Sequence, residues 1–294
     1  MARSATQRAA PAADALPSAP EPILDHISKR NFERLARHIH GNYGIKLPQA
    51  KMTMVEGRLR RRVRALGLRS VNAYCEHLFE DNGLESETAH LVNALTTNKT
   101  DFFREPKHFE FLVDRVLPDL LERNCIKAWS SACSTGAEPY TLAMVMDRFL
   151  AGRSRPNYSI LATDVNTDVL DIARRGVYPE EVLEPVSATF RQQYVMVSKD
   201  RSARLCRMVP ELRSCIRFAP INLMDNSYPF DRDMDIILCR NVLIYFDRAT
   251  QESVLERLCS HLRPGGYLFL GHSESITGLR LPVTQAANTI FQRQ

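Results

Sequence analysis

Between residues 28 and 96 apolar side chains recur three and four positions apart, the spacing of one buried helix face. Phe32, Leu35, Ala36 and Ile39 follow Ser28, an N-capping residue type, and the run stops before Gly41. Val55, Leu59, Val63 and Leu66 mark a second helix over about 49–66, with Gly67 as its cap. Two more helices are expected over about 70–80 and 84–96. Past Pro106 a helical stretch runs to about Glu122, and then the period changes. Short apolar runs, Ile126–Ser131, Ser159–Thr163, Ile216–Ala219, Asp235–Cys239 and Tyr267–Leu270, alternate with helical patterns over about 138–150, 169–174 and 249–262. Such alternation predicts an α/β fold whose mostly parallel sheet is covered on both faces. The turn Pro264-Gly265-Gly266 precedes the Tyr267 strand, and a last strand near Thr289–Gln292 is expected to add antiparallel at the sheet edge. Tyr194–Val197 and Leu205–Val209, separated by polar residues 198–204, read as an inserted hairpin.

A chain of 294 residues has room for two domains. Residues 1–20 hold eight Ala and three Pro with almost no large apolar side chain, too little to offset the entropy of ordering. The expected division is a disordered tail over 1–25, a helical domain over 26–100, and an α/β domain over 101–294 with its inserted β subdomain at about 190–215. Charge divides at the same place: residues 1–100 hold 15 Lys+Arg against 10 Asp+Glu, the rest 24 against 24, so the whole net charge of +5 belongs to the first third. That asymmetry points to an anionic partner for the helical part. Apolar stretches such as Met144–Met146 and Ile236–Cys239 fall far short of the roughly 18 residues that span a bilayer, so no membrane insertion is expected. The seven cysteines are scattered singly, forming neither a disulfide framework nor a zinc site; they suit small buried thiols in a reducing cytoplasm, with no metal.

In open parallel sheets ligands sit beyond the carboxyl ends of the strands. The first strand is followed by Ser131-Ala132-Cys133-Ser134-Thr135-Gly136, a small-residue loop that opens a helix and lets a ligand approach backbone N–H groups. With a single glycine and no lysine it is neither a dinucleotide loop nor a P-loop. The second strand ends in Asp164, where a carboxylate can accept both hydroxyls of a ribose. Loop and acid together describe a nucleoside site with no phosphate requirement. S-adenosyl-L-methionine is such a ligand, and Glu138, in the first turn of the helix, could meet its ammonium. Asn222-Leu223 and Cys239-Arg240-Asn241-Val242-Leu243-Ile244-Tyr245-Phe246 follow the next strands, offering an amide for an adenine edge and a hydroxyl at Tyr245.

Thr97-Asn98-Lys99-Thr100-Asp101-Phe102-Phe103-Arg104-Glu105, Ser134-Thr135-Gly136-Ala137-Glu138-Pro139-Tyr140, the segment from Cys239 to Phe246, and Gly271-His272-Ser273-Glu274 resemble the CheR-type chemotaxis receptor glutamate methyltransferases. Four motifs in the same order carry the resemblance from about residue 28 to the end. It implies a small all-α domain followed by a doubly wound, Rossmann-like S-adenosylmethionine-dependent methyltransferase domain with a small antiparallel subdomain. Carried over by motif, the cofactor contacts would be Asn98, Thr100, Arg104, Glu138, Asp164, Asn222, Leu223, Arg240 and Asn241, with Arg104 and Tyr245 facing the methyl group. Lys99, Asp101 and Ala137 depart from the commonest pattern, and Ala137, standing in place of an acid, lowers the negative charge beside the ammonium site. The hairpin lacks glycine between Tyr194 and Leu212, unlike the glycine-containing version expected in tail-binding relatives, so the resemblance leaves open whether it grips a receptor tail.

Methylating a glutamate requires no nucleophilic side chain and no metal, because a free carboxylate is already ionised at neutral pH. The work is alignment and exclusion of water. A guanidinium can hold the carboxylate through two hydrogen bonds, which suits Arg104, and Tyr245 adds a hydrogen bond. The second helix carries Arg58, Arg60, Arg61, Arg62 and Arg64. Arg60, Arg61 and Arg64 lie opposite its apolar face, and with Arg58 they would dock the acidic helical cytoplasmic domain of a chemoreceptor, the enzyme acting as a monomer. No aromatic platform for single-stranded nucleic acid is visible, so nucleic acid is not the expected partner. Another protein or RNA as methyl acceptor, or a non-catalytic cofactor-binding signalling module, are the alternatives.

Overall fold

The computed structural model describes residues 26–153 and 156–294; the expected tail over 1–25 lies outside the described residues. The helical domain consists of α1 (Lys29–Tyr43), α2 (Met52–Ala65), α3 (Val71–Phe79) and α4 (Leu84–Leu95). Ser28 caps α1, its hydroxyl accepting from the Asn31 N–H at 3.2 Å. The helix runs past the expected stop at Gly41, because only Gly44 takes the left-handed conformation (φ 70°) that ends it. Phe32, Leu35, Ile39, Val55, Leu59, Val63, Tyr74, Leu78 and Leu91 meet in one core. Glu87 is buried in that core, and its carboxyl is held well below the usual range by bidentate hydrogen bonds from Arg62.

After α4 a helical segment of α5 (Lys107–Phe111), a π turn (Leu112–Val116) and α6 (Leu117–Asp119) leads into the sheet domain. Its elements are β1 (Cys125–Ser130), α7 (Ala137–Leu150), β2 (Asn157–Asp164), α8 (Thr167–Arg175), β3 (Val177–Pro179), α9 (Ala188–Tyr194), β4 (Val195–Val197), β5 (Leu205–Met208), α10 (Pro210–Ser214), β6 (Ile216–Pro220), β7 (Met234–Cys239), α11 (Arg248–His261), β8 (Leu262–Leu270), β9 (Val283–Ala287) and β10 (Ile290–Arg293). Seven strands run in the order β6-β2-β1-β7-β8-β10-β9. The first five are parallel, and β10 runs antiparallel to both of its neighbours, β8 and β9. β2 and β7 leave β1 on opposite sides, and that reversal opens a crevice at the strand ends. The central strands β1 and β7 and the second half of β2 are buried between helices on both faces, with Trp129, Ile236 and Ile237 fully buried.

The sheet corrects three expectations. β10 is not the edge strand, since β9 pairs outside it; the alternating, largely exposed side chains of β9 carry no apolar run to reveal it. The Pro264-Gly265-Gly266 segment lies inside β8, whose register against β7 breaks between Met234 and Ile236. The hairpin of β4 and β5 forms, pairing Val195 with Met208 and Val197 with Cys206, but β3 adds on the other side of β5. The small sheet therefore begins at Val177, earlier than the expected start near 190. All seven cysteines are free thiols.

Hydrogen bonds tie the two domains together. Asn93 on α4 exchanges two with Thr167 at the start of α8 (2.9 and 3.0 Å), and Asn166 donates to the Thr96 hydroxyl at 2.7 Å. The helical domain thus faces the carboxyl ends of the parallel strands.

Candidate active site

The carboxyl ends of β1, β2, β6 and β7 open into one cleft. Tyr43, Ile45, Leu47, Met54 and Leu95 of the helical domain form its apolar wall, opposite polar strand-end loops. The cleft holds about 1160 Å³ of empty space, its open mouth included. Asn98, Thr100, Arg104, Glu138, Asp164, Asn222, Leu223, Arg240, Asn241 and Tyr245 all line it. Residues up to 147 positions apart in the chain are thus brought into one place.

Their side chains are not equally free. Both carboxylate oxygens of Asp164 accept backbone N–H groups, Oδ2 from Ser134 at 2.8 Å and Oδ1 from Asn166 at 2.9 Å. Burial pushes its pKa above the ordinary value against those two bonds. Asp164 therefore shapes the loop after β1 as well as presenting a carboxylate to the cleft. Asn222, expected at an adenine edge, lines the cleft and also bridges the domains: its amide donates to the Asn42 carbonyl at 2.7 Å and accepts from the Met224 N–H. Leu223 is buried, its carbonyl accepting from Tyr228 and Arg257. Gly136 does not line the cleft; a side chain there would meet Ala173 at 2.9 Å and Tyr178 at 3.0 Å, so the glycine allows α7 and α8 to pack closely. Ser131, Ala132 and Ser134 provide the small-residue approach instead.

Arg240 sits at the centre of an ion network. Its Nη1 donates to Glu138 Oε2 at 3.0 Å and its Nη2 to Glu105 Oε2 at 3.1 Å and to the Arg104 carbonyl. Ser130 donates to the other oxygen of Glu138 at 2.7 Å. Burial opposes ionisation of Glu105, but Arg240 and the hydrogen bonds from His272 and Asn241 outweigh it, leaving its pKa below the ordinary value. Deeper still, Glu274 accepts from the backbone N–H groups of Asn241, Leu243 and Gly271 at 2.9, 2.8 and 2.6 Å, pinning the loop that ends at Tyr245. Glu105 and Glu274 belong to two of the four motifs, but nothing in their spacing tells which carboxylates turn inward.

Arg104 is bracketed by two residues in the left-handed region, Phe103 (φ 53°) and Glu105 (φ 57°), and Ser134 and Asn241 adopt it too. Non-glycine residues rarely do so, and such strain gathers where side chains must be aimed. Arg104 is half-buried, donating one hydrogen bond to the Lys99 carbonyl at 3.2 Å. Tyr245 lines the cleft, and its hydroxyl has no hydrogen-bond partner among the described residues. Among the ionisable residues lining the cleft, the buried Asp164 and Arg240 and the nearly buried Glu138 leave one net negative charge, which fits a ligand carrying a sulfonium and an ammonium; Glu105 stands behind Arg240, outside the lining. The more exposed Lys51, Lys99 and Arg104 outnumber Asp101 and give the opposite sign.

None of the arginines of α2 lines the cleft. Arg61 and Arg64 are exposed, as expected for a docking face, but Arg60 is half-buried. Arg58 departs from expectation: its guanidinium donates to the carbonyls of Leu95 and Thr96, both at 2.9 Å, so it closes the end of α4. No described helix is long and apolar enough to cross a membrane.

Comparison with known proteins agrees with this arrangement. The family model described as CheR methyltransferase, SAM binding domain, matches residues 98–291, and that described as CheR methyltransferase, all-alpha domain, matches residues 30–96. Chemotaxis protein methyltransferase 2 of Pseudomonas aeruginosa is 38% identical over 93% of this chain and 98% of its own. The chemotaxis protein methyltransferase of Escherichia coli is 38% identical over 90% of this chain and 91% of its own, and that of Borreliella burgdorferi 35% over 86% and 90%.

Proposed function

This chain belongs to the CheR methyltransferase family of S-adenosylmethionine-dependent enzymes of chemotaxis, and from that premise we propose that it esterifies glutamate side chains on the cytoplasmic domain of chemoreceptors. The observation that carries the reading is the division of charge along one cleft, with Glu138 and Asp164 against Arg240 among its buried groups and Lys51, Lys99 and Arg104 against Asp101 among its more exposed ones. A cationic cofactor is drawn inward, and an anionic side chain is met at the rim.

The cofactor supplies an electrophilic methyl group on a sulfonium. Glu138 and Asp164 would hold it inside, with Arg240 and Asn241 fixing the wall they share, and Asn98, Thr100 and Leu223 closing around it. The acceptor glutamate arrives already ionised, so the site needs no base to remove a proton. Arg104, whose guanidinium makes a single hydrogen bond among the described residues, orients that carboxylate. Tyr245 offers its hydroxyl to the same end. Two weak contacts suit the task better than one tight bidentate pair, since strong pairing would withdraw electron density from the attacking oxygen. The exposed Arg61 and Arg64 of α2 then meet the acidic face of the receptor helix. The setting for this work is the cytoplasm, where receptor signalling domains lie.

The test is incubation of the protein with methyl-labelled S-adenosylmethionine and receptor cytoplasmic fragments. Label should enter the receptor and leave as methanol in alkali, as an ester must. Alkali-stable label would assign transfer to nitrogen, and label in RNA would assign a different acceptor.

A further inference from the structure

We propose that Glu105 is a positioning residue for the cofactor site, acting through Arg240 and Asn241; the inference rests on the reading that those two residues hold the cofactor. Glu105 does not line the cleft. Its carboxylate instead gathers three chain segments. Oε2 accepts from Arg240 Nη2 at 3.1 Å and Nε at 3.4 Å, while Oε1 accepts from Asn241 Nδ2 at 3.3 Å and the His272 N–H at 3.2 Å. The first segment follows the domain linker, the second leaves β7 and the third leaves β8.

The arrangement leaves Arg240 little independence. Its side chain is 2% exposed, and apart from Glu105 it has, among the described residues, only Glu138 and the Arg104 carbonyl to satisfy its donors. Without the Glu105 carboxylate, Nε has no acceptor and the guanidinium can turn toward Glu138. A buried guanidinium tolerates an unpaired donor poorly, so it will move. Asn241, held at φ 59°, loses the acceptor of its amide in the same stroke. Glu105 itself sits at φ 57°, a conformation costing on the order of 1–2 kcal/mol in an L-residue, and its four hydrogen bonds hold it there. His108 Nδ1 lies 3.5 Å from Oε2, but burial and the Arg240 charge push the His108 pKa down to about 4. The imidazole is therefore neutral near pH 7 and cannot replace the guanidinium as counter-ion.

The test is a double-mutant cycle of Glu105→Gln and Arg240→Lys, read by calorimetric affinity for S-adenosylhomocysteine, which binds without reacting, and by thermal unfolding of the free protein. Each single change should weaken binding about tenfold or more, and the pair should be no worse than Arg240→Lys within about twofold, because both break one linkage. Glu105→Asp should recover part of the loss, and it carries the same cycle should Glu105→Gln fail to fold. Multiplicative effects, or a folded Glu105→Gln protein with unchanged affinity beside a weakened Arg240→Lys, would overturn the positioning role and leave the cofactor reading intact. Unchanged affinity in Arg240→Lys would instead remove Arg240 from the cofactor site and this proposal with it.

Discussion

Gly44 joins the helical domain to the catalytic loop, and replacing it by alanine should damage both stability and turnover. It ends α1 at φ 70°, and a Cβ placed there would lie 2.6 and 2.8 Å from ring atoms of Phe246 and 3.0 Å from the Met224 sulfur. Two costs add. Holding alanine in the left-handed region costs about 1–2 kcal/mol, and crowding a packed ring costs about 1–3 kcal/mol more, giving roughly 2–5 kcal/mol in all. Phe246 directly follows Tyr245, so displacing its ring also moves the tyrosine that lines the cleft. Two other glycines separate the terms. Gly67 has φ 65° with nothing within 4 Å, so Gly67→Ala should cost only the first contribution. Gly41 lies within α1 with nothing within 4 Å and no positive φ, so Gly41→Ala should be neutral or stabilise by up to about 1 kcal/mol. Urea unfolding of the three variants, with kcat measured on each, checks the series. A Gly44→Ala protein within about 0.5 kcal/mol of Gly67→Ala, with normal kcat, would refute the claim that Phe246 transmits the contact.

Tyr245→Phe should lower kcat with little change in cofactor affinity, and raising the pH should not restore it, because no base awaits deprotonation; an inflection near neutrality that vanished in this variant would point to acid–base chemistry instead. Asp164→Asn should weaken cofactor binding by about 1–3 kcal/mol through loss of charged hydrogen bonds, with a lower unfolding midpoint because Ser134 and Asn166 lean on the same carboxylate; calorimetry and thermal melts separate the two. Reversing Arg61 and Arg64 to Glu should raise the apparent KM for receptor and leave cofactor affinity alone, and added salt should weaken the wild-type interaction. For His108 the folded pKa of about 4 lies below the ordinary 6.5. Between those values the unfolded chain binds the extra proton, so the contribution is complete above about pH 6.5 and falls with pH by up to about 1.4 kcal/mol per unit. His108→Gln should flatten that acid limb in urea titrations; an unchanged slope would remove His108 as its source.

Periodicity alone determined the division into a helical and an α/β domain, because a helix with Val55, Leu59 and Val63 on one face, or a strand as apolar as β7, can be stable only against a core. The motifs likewise named ten residues that do meet in one cleft, since strand-end loops of a parallel sheet converge by topology. Local pattern could not reveal β9, whose exposed residues pair through the backbone, nor β3, whose three residues gain their place only from β5. Nor could it tell which polar groups are spent. Asn222 and Arg58 carry the residue types of a ligand contact and a docking charge, yet one bridges the domains and the other closes α4. Glu105 and Glu274 are the reverse case, unremarked acids that the fold turns inward to hold Arg240, Asn241 and the loop to Tyr245. Residue type and spacing specify what a side chain can bond, while its actual partner lies on segments 31 to 180 residues away that only packing brings within hydrogen-bond reach.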